Sequence, residues 1–152
     1  TCDSDRLGHQ IETIVRNVRR PILAVPENYK APTNVMLAFD GSDVSRKGVK
    51  MLAESPLFVG MPIHVVMVGA ATADANASVE AAVSHLQEFR HQVSYEIRAG
   101  EVESTLRDIQ QERNIDMLIM GAYSHSKLRQ LFMGSTTSKV LSRATTPVLL
   151  LR

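Results

Sequence analysis

The stretch MLIMGAYSHSKLRQLFMGSTTSKVLSRATTPVLLLR (117–152) decides the fold. It opens on a short apolar block, MLIM (117–120), and passes through a polar loop into a segment with helical spacing at Val140, Leu141 and Ala144. It closes on a second apolar block, VLLL (148–151). Neither block alternates apolar with polar, so each reads as a strand covered on both faces, as strands of parallel sheets are. The same alternation of strand and helix extends upstream through VMLAF (35–39), IHVVMV (63–68) and VSYEI (93–97). Between these blocks apolar residues recur at helical intervals: Val44, Gly48, Met51 and Leu52, then Val79, Val83, Leu86 and Arg90, then Val102, Leu106 and Ile109. VSYEI alone alternates, as an outer strand does. From residue 34 onward the pattern predicts an α/β fold, an open five-stranded parallel sheet with helices on both faces. In such sheets ligands bind beyond the carboxyl ends of the strands, where strand order reverses.

Residues 1–33 stand outside this unit. They read as a helix over Gly8–Arg19, a strand over Pro21–Val25 and a linker, PENYKAPTN. LGHQIETIVRNVRRPILAVP (7–26) aligns without gaps on MGSTTSKVLSRATTPVLLLR (133–152), pairing Gly8 with Gly134, Pro21 with Pro147 and Leu23 with Leu149. Apolar residues also match at Ile14 and Val140, Val15 and Leu141, Val18 and Ala144, and Ile22 and Val148. The expectation is a tandem arrangement, with 1–33 the last helix and strand of a preceding copy plus a linker, and 34–152 a complete domain. An uncovered apolar edge such as VLLL invites a partner strand. Residues 21–25 are therefore expected antiparallel to 147–151, within one chain or between two copies in a homodimer.

Composition narrows the function classes. The chain has 152 residues, of which 44% are apolar, enough for one domain with a real core. A formal net charge of +1 is not that of a dedicated nucleic-acid binder. No apolar run approaches the roughly 20 residues of a membrane-spanning helix, and TCDSDRLGHQ (1–10) carries no basic and hydrophobic leader pattern. Cys2 has no internal disulfide partner. The expectation is a cytoplasmic protein without nucleic-acid or membrane partners. His9, His64, His85, His91 and His125 are scattered without metal-site spacing, Asp116 reads as a turn residue, and the seven Met residues read as core filler.

The common phosphate-loop patterns, GxxxxGK followed by Ser or Thr and GxGxxG, are absent. Two other features point to a phosphate-bearing ligand. Gly121 leaves a strand end, and Gly134-Ser135-Thr136-Thr137 opens the last helix, where outward-pointing N–H groups and hydroxyls suit phosphate oxygens. Ser135 is equally explained as a helix cap. FDGSDVS (39–45) places Asp40 at another strand end, where its carboxylate can accept from a ribose hydroxyl or an adenine amine, or serve a turn ahead of Gly41.

VMLAFDGSDVS (35–45) and MGAYSHSKLRQLFMGSTTSKVLSRATTPVLLLR (120–152) together resemble the universal stress protein family. Its nucleotide motif, Gly-x-x-Gly, nine residues, then Gly and Ser or Thr, is met by Gly121, Gly134 and Ser135, with Ser124 standing where the second glycine belongs. The resemblance implies a Rossmann-like, adenine nucleotide alpha hydrolase-like fold and an ATP-binding regulatory module of the stress response, with Mg as a companion ion. It implies that Ala38, Phe39 and Asp40 border adenine and ribose, with Val68 beside the base. Met120, Gly121, Tyr123 and Ser124 would follow ribose and phosphates, and Gly134, Ser135, Thr136 and Thr137 would hold the phosphate chain. Val68 also reads as sheet core. Lys127 and Arg129 read either as phosphate counter-charges or as a solvated face. With no evident base or metal carboxylate for the γ-phosphate, no catalytic residue is assigned, and weak ATP hydrolysis is the enzymatic alternative. A dimerisation module that has lost the nucleotide through Ser124 is the other.

Overall fold

Val35, Met36 and Leu37 are wholly buried although neighbouring side chains of a strand point to opposite faces, so both faces of the sheet are covered. This is why VMLA shows no alternation. In the computed structural model, which describes residues 20–28, 30–121 and 133–152, the strands are β1 (Ile22–Ala24), β2 (Val35–Ala38), β3 (Ile63–Val68), β4 (Val93–Arg98), β5 (Leu118–Gly121) and β6 (Val148–Leu151). The helices are α1 (Asp43–Glu54), α2 (Ala73–Glu88), α3 (Val102–Arg113) and α4 (Met133–Arg143), with a short 3-10 turn at Pro56–Phe58.

The six strands form one sheet in the order β1-β6-β5-β2-β3-β4. All neighbours from β6 to β4 are parallel, so the five-stranded parallel sheet is present, and VSYEI does lie at its edge. The remaining strand, β1, runs antiparallel to β6 with Ile22 opposite Leu150, Leu23 opposite Leu149 and Ala24 opposite Val148. The expected pairing of 21–25 with 147–151 thus forms within this chain and makes the sheet mixed. The helix expected over Gly8–Arg19 lies outside the described residues.

Two cores flank the sheet. Val35, Leu37, Val65 and Ile119 pack with Val49 and Leu52 of α1 and Val79, Val83 and Leu86 of α2. Met36, Val66, Leu118, Val148 and Leu150 pack with Leu106 and Ile109 of α3 and Val140 of α4. Burying a Leu, Ile or Val side chain contributes about 1.5–3 kcal/mol, so these two layers dominate the stability of the fold.

Two sequence readings need correction. Arg90 does not continue the α2 face: the helix ends at Glu88, and Arg90 adopts a left-handed φ of 64°. Asp116 is no mere turn residue. Its Oδ1 accepts from the backbone N–H groups of Thr33 and Asn34, each at 3.0 Å, and its Oδ2 accepts from Thr33 Oγ1 at 2.9 Å. Asn34 returns the contact, its Oδ1 accepting from Asp116 N–H at 2.9 Å. The start of β2 is thereby fastened to the approach to β5.

Candidate functional site

Strand β2 pairs with β3 on one side and β5 on the other, so strand order reverses between β2 and β5. The crevice beyond their carboxyl ends is where an open α/β sheet receives a ligand. Ala38 ends β2 and Gly121 ends β5. Immediately after β2 the chain turns sharply: Asp40 Oδ1 accepts from Ser42 N–H at 2.9 Å, and Gly41 takes a φ of 77°, a left-handed conformation suited to glycine. Ser42 then caps α1, its Oγ accepting from Ser45 N–H at 3.2 Å. Gly121 is the other constrained glycine. A Cβ there would come within 3.1 Å of Val44 Cγ1, so the end of β5 is pressed against the first turn of α1. Asp40 and Gly121 are brought to one place by this packing.

The electrostatics of the two helix starts differ. α1 begins with Asp43 and its own Ser42 cap, with Asp40 just before it, so acidic groups already occupy its positive end. α4 begins Met133-Gly134-Ser135-Thr136 with no acidic residue in its first turn.

Several of the remaining candidates belong to the two cores or pack against them. Phe39 is buried in the core beneath α1 and α2, while its N–H donates to Val66 O at 2.8 Å. Met120 belongs to the core on the opposite face, and Ala38 and Val68 pack against that core, in keeping with the reading of Val68 as core. Thr137 is buried and Thr136 half-buried in α4. Tyr123, Ser124, His125, Lys127 and Arg129 lie outside the described residues. Among the described residues no group of three or more His, Cys, Asp or Glu side chains could hold a metal ion, and no helix is long and apolar enough to cross a membrane.

The universal stress protein family profile matches residues 32–152. This chain belongs to the universal stress protein family. It is 36% identical over 148 residues to universal stress protein Slr1230 of Synechocystis sp., an alignment covering 96% of this chain and 52% of that protein. A universal stress protein from Archaeoglobus fulgidus shares the fold with a TM-score of 0.73 at 18% identity, covering 91% of this chain and 52% of its own. A universal stress protein crystallised in complex with cAMP has a TM-score of 0.66 at 20% identity, covering 81% of this chain and 98% of its own. The chain spans about half the length of the first two of these relatives, each being covered to 52%.

One polar cluster escapes the sequence reading altogether. At the opposite, amino-terminal end of the strands, His64 of β3 lies beside Ser94 and Glu96 of β4. The residues are 30 and 32 positions apart in the chain, and only the β3–β4 register brings them together.

Proposed function

We propose that this universal stress protein domain binds an adenine nucleotide in the β2–β5 crevice and serves as a nucleotide-responsive regulatory module. The observation that carries the reading is the convergence of the Asp40 turn and Gly121 at the strand-order reversal, with Gly121 packed on Val44 of α1. The relative crystallised with cAMP supports the same ligand class. Asp40, an acceptor-only group when ionised, would take hydrogen bonds from ribose or adenine, with Ala38 and Val68 as the wall on that side and Phe39 bordering the site through its main chain, its side chain lying in the opposite core. Met120, Gly121, Tyr123 and Ser124 would follow the sugar and first phosphate. Gly134, Ser135, Thr136 and Thr137 would hold the phosphate chain through N–H groups and hydroxyls. With ATP, Mg would be held chiefly by the phosphates themselves, since this ion needs few protein ligands beside a polyphosphate. Ser and Thr hydroxyls bind phosphate without activating water, so the role is binding rather than efficient turnover.

Calorimetric titration with ATP, ADP, AMP and cAMP tests this. One saturable site per chain is expected, abolished by Gly134→Asp, which sets a carboxylate where phosphate would lie. Absence of heat and of thermal stabilisation at millimolar concentrations of all four nucleotides would refute it.

A second reading rests on the β1–β6 pairing: 1–33 is the end of a preceding universal stress protein domain, and 34–152 is a complete one. In that reading β1 is the seam between tandem partners, and a homodimer through 147–151 would form only by exchange of 21–25 between copies, since β5 and β1 already occupy both edges of β6. Leu23 and Val25 of this seam are exposed, which suits further covering chain.

A further inference from the structure

The cluster at the amino-terminal end of the sheet has the connectivity of a nucleophile, a base and an orienting carboxylate. His64 stands opposite Ser94 in the parallel β3–β4 register, and Glu96, two residues further along β4, falls on the same face as Ser94. Ser94 Oγ is 2.7 Å from His64 Nδ1, and Glu96 Oε1 is 2.9 Å from His64 Nε2. The imidazole is 6% exposed, whereas Ser94 faces solvent.

The protons can be assigned by chemistry. Burial pushes the Glu96 carboxyl up, but hydrogen bonds from His64 and Arg98 and the Arg98 charge hold it below the usual carboxylate range. Ionised, it can only accept, so Nε2 carries the ring proton. Burial lowers the His64 pKa, the Glu96 hydrogen bond opposes this, and the Arg113 charge adds to the lowering. The ring is therefore neutral at pH 7, and Nδ1 offers its lone pair to the Ser94 hydroxyl. The orienting carboxylate is itself fixed: Arg98 Nε donates to Glu96 Oε2 at 3.0 Å, and the Arg98 fork is held by Glu112 at 3.0 and 2.9 Å. Arg113 Nη2 donates to Ser94 Oγ at 3.2 Å, placing a cation beside the hydroxyl.

A cavity of about 230 Å³ opens on this group, lined by Asn34, Pro62, His64, Gln92, Ser94 and Arg113 among others. Drug-sized ligands occupy about 300–1,000 Å³, so the space suits a small group rather than a nucleotide.

We propose that Ser94, His64 and Glu96 form an acyl-transfer site acting on short-chain esters, distinct from the β2–β5 crevice. Ser94 Oγ attacks the ester carbonyl carbon as its proton passes to His64 Nδ1, and Arg113 faces the charge developing on the carbonyl oxygen. The carbon–oxygen bond to the alcohol then breaks, and His64 returns the proton to the departing oxygen. An acyl-Ser94 ester remains. Water attacks this ester, giving its proton to His64 Nδ1, and the carboxylic acid leaves as Ser94 takes the proton back.

The test uses the full chain with p-nitrophenyl acetate, following p-nitrophenol release and locating acetyl groups by peptide mass mapping. Acetylation at Ser94 is expected, lost in Ser94→Ala and slowed about a hundredfold or more in His64→Gln and Glu96→Gln. The acylation rate should rise with pH to a midpoint below that of free imidazole, the charged groups facing His64 being Glu96 and Arg98 on β4 and Arg113 on α3. Ser94 is exposed, so Ser94→Ala keeps the test valid even where His64→Gln does not fold. Undiminished release by Ser94→Ala, acetyl groups only on lysines or the terminus, or no acetylation at all would overturn the proposal.

Discussion

The two ends of the sheet are built from different materials. At the carboxyl end, the crevice between β2 and β5 is mostly main chain: a turn held by Asp40, a left-handed Gly41 and the close-packed Gly121. Around His64 and Ser94, near the amino ends of β3 and β4, the cluster is entirely side chain: an imidazole, a hydroxyl, and two carboxylates and two guanidiniums from further along β4 and from α3. A main-chain cradle tolerates varied side chains and grips a diffuse charge such as phosphate. A side-chain relay depends on each member and can move a proton. One small sheet thus carries two unlike arrangements of polar groups, and the two proposals made for them call for unlike chemistries.

Exchanging variants between the ends separates them most sharply. Gly134→Asp should abolish nucleotide stabilisation, worth about 2.7 kcal/mol at a hundredfold excess over Kd, while leaving acetylation of Ser94 intact. Ser94→Ala should do the reverse. Thermal melts with ATP and mass mapping of the same two proteins measure both effects, and a variant that cripples both ends would break the distinction.

The same contrast explains what the sequence could reveal. VMLAF, IHVVMV, MLIM and VLLL are legible as buried parallel strands because burial on both faces leaves a local trace, an unbroken apolar run. Asp40, Gly121 and Gly134 are legible because turns and helix starts are set by residues adjacent in the chain. His64, Ser94 and Glu96 are not, since their meeting depends on the β3–β4 register rather than on any local spacing. Asp116 eludes reading for the same reason, its partners Thr33 and Asn34 lying 83 and 82 residues away. Arg90 misleads because a left-handed position after a helix usually carries glycine, and here an arginine takes it.

Smaller effects sharpen the picture of the scaffold between the two ends. Asp116→Ala strips the acceptors from Thr33 and Asn34 and is expected to cost about 1–3 kcal/mol in urea unfolding. Ser42→Ala removes the α1 cap beside the crevice and should cost about 1 kcal/mol in the same assay. Acidification should reach the amino end selectively. His64 and Glu96 both have folded pKa values below their ordinary ones, so the stability each contributes is present above the ordinary value and is lost as pH falls through the folded one. From pH 7 downward, stability should decline first through His64, starting near its ordinary 6.5, and then through Glu96. His64→Gln should remove the first part of that decline in a series of melts.

A crystal structure of the full chain grown with an adenine nucleotide shows whether the β2–β5 crevice holds it. The expected density places the base and ribose beside Asp40 and Val68, past the ends of β2 and β3, and the phosphates at the Gly134 start of α4. Nucleotide bound at any other surface, or a crevice that stays without nucleotide at millimolar concentration, would contradict it.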